Sequence, residues 1–147
     1  MFDTILVPTD GSPLSAKAIN AAVQFANEHG SEIVAFSVTE PYQYSALADG
    51  FIADTTNTEE FDEDMEKLAR AHVDEIASLA KAKNVRCRTT TVRSYDPAHE
   101  IIAATKRYRC DVIFMATHGR SWFGNLLIGS ETQKVLTHSS IPVVVFR

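Results

Sequence analysis

The stretch Thr4-Ile5-Leu6-Val7-Pro8-Thr9-Asp10-Gly11-Ser12-Pro13-Leu14 carries the most information about the fold. Its first part, Thr4–Val7, is an apolar, β-branched run without polar alternation, as suits a strand buried on both faces. Ser12 then offers a hydroxyl to the unpaired N–H groups of a helix start. Pro13 fits the first helical position, where its missing N–H has no partner to lose. A strand that yields to a helix after so short a turn is the opening half of a β-α-β unit.

The same alternation recurs outward from this point. Further strand-like runs are Ile33–Val38, Cys87–Val92, Val112–Thr117 and Val143–Phe146. The first helix carries an apolar stripe, Ala18/Ile19, Ala22/Val23 and Ala26, and ends at Gly30. The second starts near Asn57 or Thr58, with a stripe of Met65, Leu68/Ala69, His72, Ile76 and Leu79/Ala80, and ends near Asn84. Its opening acids, Glu59, Glu60, Asp62, Glu63 and Asp64, read as a solvated face that compensates the helix dipole, not as a metal site. On that stripe His72 reads as a core histidine. The third helix opens at Asp96 and Pro97, with Ala98, Ile101/Ile102 and Thr105 inward and His99 toward solvent. The fourth opens at Ser130 as cap, with Gln133 completing a capping box and Thr132, Val135 and Leu136 inward. Every connection between strands exceeds the dozen or so residues a parallel crossover needs. The expected architecture is therefore α/β, an open five-stranded parallel sheet of Rossmann-like, doubly wound type with helices on both faces. The long irregular stretch Glu40–Thr56 stands out, because connections that long are usually functional lids or mobile segments.

Composition narrows the function. The 147 residues suit a single domain over 1–147, and a chain of this size buries roughly 68–70% of its unfolded surface. A formal net charge of −5 argues against nucleic-acid or anionic-membrane partners, which favour a basic face. It does not argue against a nucleotide, whose phosphates need only a few local dipoles. Cys87 and Cys110 cannot form a disulfide framework and read as small apolar residues. The opening Met1-Phe2-Asp3 has no basic region followed by an apolar one, and the longest apolar run is only Val112–Ala116. A cytoplasmic location is expected.

In open α/β sheets ligands bind at the carboxyl ends of strands, where strand order reverses. After the first strand comes Pro8-Thr9-Asp10-Gly11-Ser12; after the fourth comes Ala116-Thr117-His118-Gly119-Arg120, a loop to Ile128, and Gly129-Ser130 at a helix start. The second element reads as a phosphate cradle. Gly119 and Gly129 let backbone N–H groups approach an anion, Ser130 adds a hydroxyl, and the helix start adds roughly half a positive charge. Asp10 stands where ribose hydroxyls could donate to it, though it could also simply initiate the turn. The P-loop, the dinucleotide G-x-G-x-x-G and the G-x-S-x-G nucleophile motif are absent.

The opening Ile5-Leu6-Val7-Pro8-Thr9-Asp10-Gly11-Ser12, the segment Met115 through Leu136 and the ending His138-Ser139-Ser140-Ile141-Pro142-Val143-Val144-Val145 together resemble the universal stress protein family over essentially the whole chain. The resemblance implies strand order 3-2-1-4-5. It further implies the ATP-binding branch marked by G-x2-G-x9-G-[ST], of which Gly119, Gly129 and Ser130 match. The first glycine of that motif is Ala116 here. Its methyl group would crowd the ribose by about 1–3 kcal/mol, or would cost about 1–2 kcal/mol if the backbone were left-handed, weakening binding roughly 5- to 150-fold. Glu131 would compete with phosphate for the same helix dipole, an effect that Arg120 would offset.

By resemblance, the nucleotide site comprises Pro8, Thr9, Asp10, Val38, Met115, Ala116, His118, Gly119, Arg120, Gly129, Ser130, Glu131 and Thr132. Adenine lies against Pro8 and the Val38 backbone, ribose near Asp10 and Ala116, and phosphates near His118, Gly119, Gly129, Ser130 and Thr132. A divalent ion, Mg2+ or Mn2+, accompanies the phosphates, with no protein cluster of metal-ligand spacing to hold it. Trp122 and Phe123 form an apolar pair in the spacer loop that reads by default as buried under it, the alternatives being a cover over the nucleotide or a partner contact. The strand Val143–Phe146 is implied to pair across a two-fold axis in a homodimer.

The leading expectation is a stress-response regulator that binds ATP or AMP. No residues resemble an activated nucleophile with its base, so ATP hydrolysis is slow at most. Ala116 and Glu131 support an alternative, a dimeric interaction protein of the same family that binds no nucleotide. An adenylating enzyme would want a further domain for its second substrate. A response-regulator receiver would want a Lys after the fifth strand, where the sequence instead ends at Arg147.

Overall fold

Nine elements alternate along the chain in the computed structural model, which describes residues 1–42, 58–118 and 128–147. They are β1 (Thr4–Pro8), α1 (Pro13–His29), β2 (Glu32–Thr39), α2 (Thr58–Ala82), β3 (Cys87–Arg93), α3 (Pro97–Arg107), β4 (Val112–Ala116), α4 (Ser130–His138) and β5 (Val143–Phe146). The sheet is parallel, in the order β3-β2-β1-β4-β5. Ile5 stands level with Ile33 on one side and Val112 on the other.

Successive side chains of a strand point to opposite faces, so each central strand feeds two cores. Ile5, Val7, Ile33, Ala35, Val112 and Phe114 pack with Ala22, Val23 and Ala26 of α1 and with Val73, Ile76 and Ala80 of α2. Leu6, Val34, Phe36, Ile113 and Met115 face the other way, against Ala98, Ile101 and Ala104 of α3 and Val135 of α4. Hence these strands read as unbroken apolar runs. The first two crossovers run outward from β1 and put α1 and α2 on one face; the last two run back past it and put α3 and α4 on the other.

Local chemistry sets the helix ends. Ser12 caps α1, its hydroxyl accepting from the Ser15 N–H at 3.4 Å, and Gly30 closes the helix at φ +74° with its N–H donating to the Ala26 carbonyl. Asp96 caps α3 by accepting from the His99 N–H at 3.1 Å, and His99 itself is exposed.

Several sequence readings are corrected. The cap of α4 is Gly129, with extended backbone (φ −66°, ψ 153°), and Ser130 is the first helical residue; no side chain caps this end. On α2 the buried row is Ala69, Val73, Ile76 and Ala80, whereas Leu68 and Leu79 are 40% exposed and His72 is half-buried. The row that meets the sheet is thus displaced about the helix axis from the one read as inward. Leu136 is likewise exposed and Ile102 only half-buried. Of Glu40–Thr56 only residues 40–42 are described, and Trp122 and Phe123 lie outside the described residues.

Both thiols are free, with Cys110 buried and Cys87 half-buried. The edge strands are β3 and β5. Arg88 of β3 pairs with Glu32 at 2.7 Å, while all four residues of β5 are half-buried and apolar.

Candidate functional site

The chain leaves β1 toward one face and β4 toward the other, so the carboxyl ends of these neighbouring strands open a crevice. It holds a cavity of about 490 Å3, within the roughly 300–1,000 Å3 of small-molecule sites. The ends of β1 and β2 supply Pro8, Thr9, Asp10 and Val38. The end of β4 supplies Met115, Ala116 and His118, and the start of α4 supplies Gly129, Ser130, Glu131 and Thr132. Eleven of the site residues read from the sequence therefore line one cavity. The other two, Gly119 and Arg120, lie outside the described residues.

The floor is held rigidly. The Thr9 N–H donates to the Phe36 carbonyl at 2.8 Å, and the Ser37 hydroxyl donates to the Thr9 carbonyl at 2.9 Å. One carboxylate oxygen of Asp10, Oδ1, accepts from the Ser12 N–H and the Ser15 hydroxyl, each at 2.9 Å. Asp10 thus starts the turn, and, held in orientation by these bonds, it also lines the cavity.

At the other wall the Gly129 N–H donates to the Thr117 carbonyl at 2.7 Å, and the first bond within α4 runs from the Gln133 N–H to the Gly129 carbonyl. The N–H groups of Ser130, Glu131 and Thr132 precede that bond, and among the described residues no acceptor meets them. A Cβ on Gly129 would meet the Thr117 carbonyl oxygen at 3.2 Å and His118 Cα at 3.4 Å, so glycine lets the start of α4 approach the end of β4 this closely. The His118 ring pairs through Nδ1 with the Thr117 hydroxyl at 3.0 Å. The Thr132 hydroxyl donates to the Ala116 carbonyl at 3.0 Å, tying the start of α4 to the end of β4.

Ala116 is an ordinary strand residue, and positive φ among the non-glycine described residues occurs only at Asn84 and Arg109. The expected left-handed penalty is therefore excluded, and only crowding by the methyl group remains. Glu131 has partners of its own within the fold. Its Oε2 accepts from the Ala98 N–H at 2.9 Å and its Oε1 from Lys134 Nζ at 3.0 Å, so the carboxylate is turned toward the start of α3. That hydrogen bond from Lys134 holds the Lys134 ammonium above its usual range.

Sequence reasoning missed the wall supplied by α2. Phe61, Met65, Leu68, Ala69 and His72 line the cavity, and Pro97 and Ile101 of α3 complete it. The signal present in the sequence was the breadth of the apolar side of α2, which adds Phe61, Met65 and Leu68 to the row that meets the sheet. The described lining carries the carboxylates Asp10, Glu40 and Glu131 and no Lys or Arg. Among the described residues no three His, Cys, Asp or Glu side chains converge to hold a metal ion, and no helix is long and apolar enough to cross a membrane.

The family model for the universal stress protein family matches residues 1–147. The chain belongs to the universal stress protein family. It is similar to universal stress protein YxiE of Bacillus subtilis, 29% identical over the full length of both chains. Its fold is that of protein MJ0577 of Methanocaldococcus jannaschii, with a TM-score of 0.83 at 22% identity over 99% of this chain and 96% of that one. Two further universal stress proteins of this fold were solved with adenine nucleotides. One holds cAMP (TM-score 0.68, 20% identity, 99% and 97% of the two chains), and one from Archaeoglobus fulgidus holds dAMP (TM-score 0.67, 13% identity, 100% and 98%).

Proposed function

We propose that this universal stress protein binds an adenine nucleotide, AMP or ATP, at the carboxyl ends of β1 and β4 and acts as a stress-response regulator in the cytoplasm. The observation that carries the reading is the convergence on one cavity with apolar walls of Asp10 and three N–H groups of α4 that meet no acceptor among the described residues. Adenine suits the apolar part by Pro8 and Val38, ribose the Asp10 and Ala116 end, and phosphate the N–H groups of Ser130, Glu131 and Thr132. The cAMP and dAMP complexes of other family members support the same ligand class. Because the described lining holds carboxylates and no Lys or Arg, a triphosphate brings a divalent ion, Mg2+ or Mn2+, held by the phosphates themselves.

Isothermal titration with AMP and with Mg–ATP tests this. Saturable binding near one nucleotide per chain is expected, lost in Gly129→Trp, whose side chain has no room between the start of α4 and the Thr117 carbonyl. No heat up to millimolar nucleotide, with protein free of co-purified ligand, would leave the dimeric interaction protein as the reading. The exposed edge of β5, Val143–Phe146, supports pairing into a homodimer, and sedimentation as a monomer at micromolar concentration would refute that.

A further inference from the structure

We propose that His72 of α2 is a specificity-determining residue that hydrogen-bonds a ribose hydroxyl of the bound nucleotide; this rests on the nucleotide reading above. His72 lines the cavity with Asp10 and is half-buried. Among the described residues it makes no hydrogen bond and no ion pair, so its ring nitrogens are available to a ligand. Its position depends on Gly11, the residue next to Asp10. Gly11 has φ +75°, and a Cβ there would land on the imidazole, 2.7 Å from Cδ2 and closer to Nε2 and Cε1. The ring therefore stands with its Nε2 end against the turn that holds Asp10 in place. A ribose diol offers two hydroxyls, each able to donate and to accept. A fixed carboxylate accepts only, whereas a neutral imidazole nitrogen can donate or accept, so the two side chains match the two hydroxyls.

Titrations with AMP, 2′-deoxy-AMP and 3′-deoxy-AMP of the wild type, His72→Phe and His72→Gln test the assignment. Phenylalanine keeps the flat ring against Gly11 and removes the nitrogens. The expected result is AMP binding weakened about three- to tenfold in His72→Phe. Binding of the analogue that lacks the contacted hydroxyl stays unchanged, so discrimination between it and AMP falls by the same factor. His72→Gln restores part of that discrimination. Equal weakening of all three ligands, or no change in any, would reduce His72 to a packing residue and overturn the proposal while leaving the nucleotide reading intact. A wild type that binds none of the three would overturn both.

Discussion

Glu131, in the first turn of α4, accepts the Ala98 backbone N–H in the first turn of α3 at 2.9 Å. One carboxylate thereby serves two helix starts. It satisfies an orphan donor of α3, beside the one taken by Asp96, and it adds negative charge at the α4 end where phosphate would sit.

Two substitutions separate these roles. Glu131→Ala removes cap and charge together and should lower stability by about 1 kcal/mol, roughly 3 °C in Tm. Glu131→Gln keeps an accepting oxygen and should retain most of that stability. Both should strengthen AMP binding about two- to fivefold, the weight of one charge at a helix start. Thermal unfolding and titration check the pair; weaker binding in both would mean that the carboxylate contributes directly to holding the ligand.

Ala116→Gly should move affinity and stability in opposite directions. Removing the methyl group should tighten nucleotide binding by up to the roughly 5- to 150-fold that its crowding implies. A glycine in strand β4 should cost about 0.5–1 kcal/mol of stability. Unchanged affinity would mean that the methyl group does not face the ligand.

Gly11→Ala should destabilise through two separable effects. A non-glycine residue at φ +75° costs about 1–2 kcal/mol, or about 3–8 °C in Tm, and its Cβ also displaces the His72 ring. In a His72→Ala background only the backbone cost remains, so the same substitution should be milder there. Equal costs in both backgrounds would show that the ring swings aside freely.

The cysteines should be inert in the folded state. Burial pushes the Cys110 thiol up to about 12 and raises that of Cys87 as well. A thiol held protonated in the fold but not in the unfolded chain makes stability fall as pH rises above about 9, the ordinary thiol value. Native protein should therefore react slowly with a thiol reagent at pH 8 and fully once unfolded, and its stability should decline from pH 9 upward. Rapid native labelling of Cys110 would contradict its burial.

Much of this was legible because it is local. Ser12 with Pro13, and Asp96 with Pro97, announce helix starts through groups within three residues of one another, and the structure places caps there. At the start of α4 the sequence pattern and the structure differ by one position. Ser130 and Gln133 have the spacing of a capping box, but Gly129 takes the extended backbone and caps without a side chain. The rest was not legible because it depends on distant partners. The periodicity of α2 shows that one side is apolar without saying what lies opposite, so Met65, Leu68 and His72 read as core although they cover the cavity while Val73 enters the core. Glu131 could be weighed only against its own helix until the fold brought Ala98, 33 residues earlier, beneath it. That Gly11, next to Asp10 in the turn, admits His72 required the two helices to be placed.

Backbone amide chemical shifts recorded during titration with AMP test most directly where the nucleotide sits. The largest changes should fall on Thr9–Ser12 and on Gly129–Thr132, the two walls of the crevice between β1 and β4. Saturable changes confined elsewhere, such as the shallow surface around Lys81, Arg86 and Cys87 at the far end of α2, would contradict it.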